Sequence, residues 1–340
     1  MTIERLERKM RASNMELLRI IAMFFVLLIH ANFWAVLPPT VDEIVQNPVD
    51  AWIRTFFESA GVIAVHCFIF ISGWFGINFK LKGLANFLYQ STFFRVGATA
   101  IMLMLGTCSL DKAVAMEMTM ASDWFIMSYL VLLMMAPVLN AFIENTSRSK
   151  YRLLLFLYFG YIFSYGLYSG SVLHNGYSPL FFFGIYLLVR YIRIYRPKLA
   201  NFPIYVDLLV YIFCTLAMTV LFCRFNISCY AYVNPLIVVS SIYFSLIFTK
   251  FEFKSKLVNG FAASSFAAYL LHTTPGLKTI YQACFKNLHE TNTIPMFWMK
   301  TVAVIIAIMI VAAMIDQLRI ASYKGVMKYV GRRSPKEWKK

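Results

Sequence analysis

Acidic charge is the scarcest commodity in this 340-residue chain: 16 Asp and Glu stand against 32 Lys and Arg, and charged residues of both signs make up only 14%. No polar stretch exceeds about 20 residues, which leaves no room for a separate soluble domain. The six cysteines form neither a CxxC nor a Cys/His ligand spacing, so no metal site and no redox pair is expected. Five of them lie within or at the ends of apolar segments, where Cys behaves as a small hydrophobe. Cys223 and Cys229 flank an expected outer loop, which leaves a disulfide as the less ordinary option. No internal repeat is visible, which weighs against many transporter folds. The first apolar run is too long for a cleaved signal peptide and lacks a small-x-small cleavage site.

Apolar residues fill the space that charge leaves. They make up 60% of the chain, and the mean hydropathy is +0.66. That is far from soluble-domain usage and predicts an all-α, polytopic, multi-pass membrane protein. About ten spans are expected, near 15–37, 56–79, 84–107, 123–143, 151–168, 178–195, 204–224, 229–249, 258–284 and 295–318. They form a single transmembrane domain over 1–340, with a basic arm at 1–13 and a basic tail at 320–340.

The formal charge of +16 suggests nucleic acid at first sight, but its placement excludes that partner. Basic residues cluster in alternate connections: Arg5, Arg8, Lys9 and Arg11; Lys80 and Lys82; Arg148, Lys150 and Arg152; Arg190, Arg193, Arg196 and Lys198; Lys250, Lys254 and Lys256. The tail adds Lys324, Lys328, Arg332, Arg333, Lys336, Lys339 and Lys340. The opposite loops hold little beyond Arg54, Lys112, Arg224 and Lys286, and the loop 38–55 carries Asp42, Glu43 and Asp50. The positive-inside rule then puts both termini in the cytoplasm of a cell (plasma or inner) membrane, which an even number of spans satisfies. The tail's plain partner is anionic lipid. Association into a homo-oligomer stays open.

The stretch 14–34, NMELLRIIAMFFVLLIHANFW, is the first span, and it carries Glu16, Arg19 and His30. Ionisable groups inside a span are costly and are functional candidates by default. Eleven residues separate Arg19 from His30, three turns plus roughly 20°, so both lie on one face. Glu16 falls one turn before Arg19, and His30 lies about 16 Å further along the axis. That pattern suits a group that handles a charged donor at one end and a proton at the other.

Other polar residues interrupt the apolar segments. Arg95, in the third span with Gln90, Ser91 and Thr92, falls near the bilayer centre. It reads either as half of a structural ion pair or as a site for phosphate or an oxyanion. In HCFIFISGWFG, Ser72–Gly73 permits close helix approach, and His66 shares the face of Gly73. For Ser72 and His66, structural packing is the plainer reading and substrate contact the other. Ser122 or Asp123 caps the fourth span, and Trp124 is an interfacial anchor or a stacking platform for a sugar ring. Ser265, Tyr269 and His272 line up at intervals of four and three as cavity lining or as interhelical glue. His174 and His289 read as solvated loop residues, and Asp316 with Arg319 as an i,i+3 pair.

These residues together resemble the membrane-bound acyltransferase family 3. Its signature of Arg, ten residues, then His stands here as Arg19 to His30 in ELLRIIAMFFVLLIH. FIFISGWFG resembles the family's aromatic Ser-Gly element, DWFIMSYLVLLMMAPVLN its Trp-aromatic segment, and SSFAAYLLHTTP its late Tyr-Leu-x-His element. The resemblance runs from the first to the ninth span. It implies a ten-helix O-acyltransferase that moves an acyl group, commonly acetyl, from cytoplasmic acyl-CoA to a hydroxyl of a surface polysaccharide or lipid-linked sugar. Acetyl-CoA is then a donor substrate, and no permanently bound cofactor is implied. The signature Arg and His fall on Arg19 and His30, and the third-helix basic residue on Arg95. The 340 residues are expected to hold no fused esterase-like domain of the kind some members carry, so transfer to the final acceptor through a separate partner stays open. The catalytic candidates are therefore His30, Arg19 and Glu16, and the substrate-binding candidates Arg95, Ser72, Trp124, Tyr269, His272 and His66. A transporter or flippase of a lipid-linked glycan is the rival reading.

Overall fold

The computed structural model describes residues 12–106, 109, 111, 123–169 and 172–333. The arm 1–11, Lys112, Ser122 and the final lysines Lys336, Lys339 and Lys340 lie outside the described residues. Among the described residues the fold is all helical: α1 Ser13–Ile29, α2 Val41–Gln46, α3 Pro48–Gly61, α4 Ala64–Phe75, α5 Leu81–Met104, α6 Trp124–Asn145 and α7 Arg148–Ser169. The second half adds α8 Pro179–Tyr195, α9 Ile204–Phe225, α10 Pro235–Ile247, α11 Lys256–Thr273, α12 Pro275–Thr291 and α13 Ile294–Arg333. Proline opens α3, α8, α10 and α12, where its missing N–H costs nothing. Asp123, Ser178, Asn234 and Ser255 cap α6, α8, α10 and α11 by accepting from backbone N–H groups.

Among the described residues, five helical stretches are long and apolar enough to cross a membrane: Ser13–Trp34, Pro48–Phe75 (α3 and α4 taken together), Trp124–Asn145, Ile204–Phe225 and Ile294–Tyr329. They mark a membrane protein. Ten spans with both termini cytoplasmic remain the proposal of the charge pattern; the other described helices are shorter or less apolar than these five.

Several expected boundaries are corrected. The outer loop 38–55 holds α2 and the start of α3, which enters the bundle at Pro48 and buries Ala51 and Arg54. The second expected span is two helices that meet at the turn after Gly61. The ninth, 258–284, is also two, because Pro275 has no N–H to continue α11 and starts α12 instead. The last helix has 40 residues and is about 60 Å long, twice the hydrocarbon thickness of about 30 Å, so residues 320–333 continue it as helix beyond the expected span. Cys223 and Cys229 are both free thiols.

The first helix occupies the centre and packs on α3, α4, α11 and α13. Its start is tied down by Asn14, whose Nδ2 donates to the carbonyls of Phe248 (2.7 Å) and Phe251 (2.8 Å). Ser13 Oγ accepts from Ser255 N at 2.9 Å. At the far end the helix widens into a π turn over His30–Trp34, a local feature often found at functional sites. Asp316 and Arg319 form the expected i,i+3 pair at 2.5 Å. It is buried against α5, where Arg319 also donates to Asn86 Oδ1 at 3.1 Å.

Candidate functional site

A cavity of about 510 Å³ opens beside the π turn. His30 and Trp34 of α1, Arg95 of α5, Trp124 of α6, Tyr269 of α11 and Lys278 of α12 converge on it. Four of the residues singled out in the sequence, His30, Arg95, Trp124 and Tyr269, thus share one wall-to-wall space although they come from four helices.

The imidazole pair sets the chemistry. His30 Nδ1 lies 2.7 Å from His272 Nε2, and His272 Nδ1 lies 2.7 Å from the Ala268 carbonyl. A carbonyl only accepts, so His272 Nδ1 carries the hydrogen. With both rings neutral, His272 Nε2 is then an acceptor and His30 Nδ1 donates to it. The lone pair of His30 therefore resides on Nε2, the nitrogen left to the cavity. His272 itself is buried behind His30 and is not among the cavity-lining residues.

The π turn is clamped from the side by α3. Asn32 Nδ2 donates to the Arg54 carbonyl (2.8 Å) and to Glu58 Oε2 (3.1 Å), while Arg54 Nε donates to Asn32 Oδ1 (3.2 Å). Arg54 also donates to the Leu37 carbonyl and sits 3.7 Å from Asp50 Oδ2. Asp50 in turn accepts from His289 Nε2 at 3.0 Å, so His289 is a bonded residue and not the solvated one expected.

Across the cavity Tyr269 Oη donates to Asp123 Oδ1 at 2.9 Å, the same oxygen that caps α6 by accepting from Ile126 N at 3.2 Å. The Trp124 ring meets Tyr177 edge-on at 4.5 Å and Tyr232 at 5.5 Å. These rings give the cavity flat apolar faces with polar rims, the lining common to small-molecule sites.

The remaining candidates lie outside the cavity. Arg19 Nη1 pairs with Glu16 Oε2 at 3.3 Å, with the Arg19 side chain 31% exposed. Met23 and Val26, which share the Arg19–His30 face, line the cavity and bring it to within one turn of Arg19. Ser72 Oγ bonds the Phe68 carbonyl and the Tyr129 hydroxyl, both at 3.0 Å, and joins α4 to α6. His66 is buried with Nε2 3.1 Å from the Tyr232 carbonyl, behind the aromatic wall. Ser265 turns to its own helix and bonds the Ala262 carbonyl at 2.9 Å.

Sequence reading missed Lys278 and the aromatic partners Tyr177 and Tyr232. A signal existed for Lys278: it falls inside an apolar stretch just after a proline, where a cation asks for an explanation. No signal marked the two tyrosines, which sit in loops far apart in sequence.

Comparison with protein-family models matches the acyltransferase domain Acyl_transf_3 over residues 13–316. Comparison with curated proteins and with solved structures gives no match.

Proposed function

The chain belongs to acyltransferase family 3, and from that premise we propose that it moves an acetyl group from acyl-CoA on the cytoplasmic side to a hydroxyl of a cell-surface polysaccharide or lipid-linked sugar. The observation that carries this reading is the His30–His272 pair, which leaves His30 Nε2 as a hydrogen-bond acceptor in a cavity lined by aromatic rings and two cations.

His30 acts as general base. Its Nε2 takes the proton of the acceptor hydroxyl as that oxygen attacks the thioester carbonyl. The new C–O bond forms, the C–S bond breaks, and the proton passes from His30 to the departing thiolate of CoA. His272 supports the imidazolium through the hydrogen bond at Nδ1. A base so placed is typically worth about two to four powers of ten in rate. Arg95 stabilises the oxyanion of the tetrahedral intermediate. Arg19, oriented by Glu16, holds the phosphates of the donor one turn beyond the cavity's end, where a guanidinium's forked donors suit them. Trp124 and Tyr269 seat the acceptor sugar, with Tyr269 fixed by Asp123.

Membranes carrying the protein and incubated with radiolabelled acetyl-CoA test the reading. Label entering glycan is the expected result, and its loss in His30→Ala that still inserts assigns the base. Glycan without label in wild-type membranes would leave the rival, a flippase that consumes no acetyl-CoA.

A further inference from the structure

Among the described residues, one cation in the cavity has no carboxylate to answer it. Lys278 lies one turn after Pro275 on α12, and its Nζ sits 4.4 Å from the centre of the Trp34 ring. Trp34 in turn lies 4.6 Å from the His30 ring. Among the described residues no carboxylate pairs with Lys278. The other charges are disposed differently. Arg95 and Asp123 both flank Tyr269 and bring opposite signs to that side of the cavity. Asp123 Oδ1 is occupied by Ile126 N and the Tyr269 hydroxyl. His30 is neutral when it serves as base. Among the described residues, the side of the cavity next to the base therefore holds a positive charge that no carboxylate offsets.

An ammonium within a membrane bundle is costly unless something offsets it. The Trp34 face offsets part of that cost, and it holds the ammonium in a fixed place. What completes the site is an anionic oxygen brought by the ligand. The facing wall, Trp124 with Tyr177 and Tyr232, offers the flat apolar faces on which a sugar ring rests.

We propose that the acceptor carries a negative group, a carboxylate on the sugar or the phosphate of a lipid-linked sugar, and that Lys278 seats this group beside the hydroxyl presented to His30. The proposal rests on the acyl-transfer reading and adds the acceptor's chemical class to it. The competing use of the ammonium is the oxyanion of the reaction itself, so the test separates acceptor binding from turnover.

Membranes carrying the full-length protein are incubated with radiolabelled acetyl-CoA, and the labelled products are run over an anion exchanger. Label retained with anionic glycan or lipid is the expected result. Carboxyl reduction, or mild-acid release of the lipid phosphate, then tells the carboxylate from the phosphate. Label confined to the neutral fraction overturns the proposal and leaves acyl transfer intact. Label in no product sinks the acyl-transfer reading and takes this one with it. The retained acceptor is next purified and titrated against wild type, Lys278→Gln and Lys278→Arg. Loss of one charge-assisted contact raises the acceptor KM roughly tenfold in the Gln variant, with kcat near wild type, and the Arg variant recovers most of it. A fall in kcat at unchanged KM would assign Lys278 to the oxyanion, and no change in either constant would leave it without a role; both results overturn the proposal.

Discussion

Nδ1 of His30 and Nε2 of His272 stand 2.7 Å apart across 242 residues of sequence. The Ala268 carbonyl behind them decides which way the hydrogens point. His30→Ala is expected to abolish acetyl transfer while the protein still inserts. His272→Ala keeps the base but frees its ring and its tautomer, and transfer falls by about two to four powers of ten. A base works only unprotonated, so the wild-type rate declines toward acid pH. Transfer assays with the two purified variants check this, and full activity in His30→Ala removes the mechanism.

Arg19 bears on the donor end. Its guanidinium pairs with Glu16 at 3.3 Å and keeps a partly exposed side chain. Lys in its place preserves charge but loses the fork, so Arg19→Lys is expected to raise the KM for acetyl-CoA about tenfold or more. An unchanged KM would move the phosphate site elsewhere.

The clamp on the π turn predicts a joint loss of stability and activity. Asn32→Ala leaves buried groups of Arg54 and Glu58 without their partner, at a cost of about 1–3 kcal/mol. Arg54→Met takes the donor from Asn32 Oδ1 and the Leu37 carbonyl and the buried cation from beside Asp50, and costs more. Thermal unfolding in detergent reads the first effect, and kcat at saturating substrates reads the displaced His30. A variant that unfolds earlier yet keeps full kcat would show that the clamp does not position the base.

At the other end of the bundle, the Asp316–Arg319 pair is buried against α5. Asp316→Asn leaves a buried guanidinium short of its counter-charge and is expected to cost about 3–5 kcal/mol. Replacing both residues together, with Leu and Met, recovers most of the loss because no charge is then stranded. The comparison of melting temperatures decides it.

Outside the spans, the capping box of α2 gives a pH dependence. Glu43 accepts from the Thr40 backbone N–H, which holds its carboxyl below the usual range. A depressed carboxylate stabilises the fold at neutral pH and loses that contribution as pH falls through its own lowered value. The protection of the 41–46 amides, taken relative to the intrinsic exchange rate at each pH, is expected to fall on acidification, and Glu43→Gln to remove that pH dependence. Equal protection at both pH values would contradict the cap.

How much of this was legible in the sequence follows from range. The face shared by Arg19, Met23, Val26 and His30 is a property of one helix, and periodicity alone defines it. The same holds for the Asp316–Arg319 pair. Arg54 was misread as a loop cation because nothing in its neighbours tells that α3 enters the bundle. Lys278 was hidden inside one presumed span, since only the observed break at Pro275 turns α12 back so that the ammonium meets Trp34.

The sequence by itself determined that the chain is helical and apolar, that its basic residues gather in alternate connections, and that one helix face carries the guanidinium and the imidazole. Only the tertiary structure decided that His272 backs His30, that Asn32 and Arg54 clamp the π turn, and that Lys278 stands beside the base. The reason is physical: backbone hydrogen bonds fix each helix over a few residues, whereas which faces meet depends on packing among segments hundreds of residues apart.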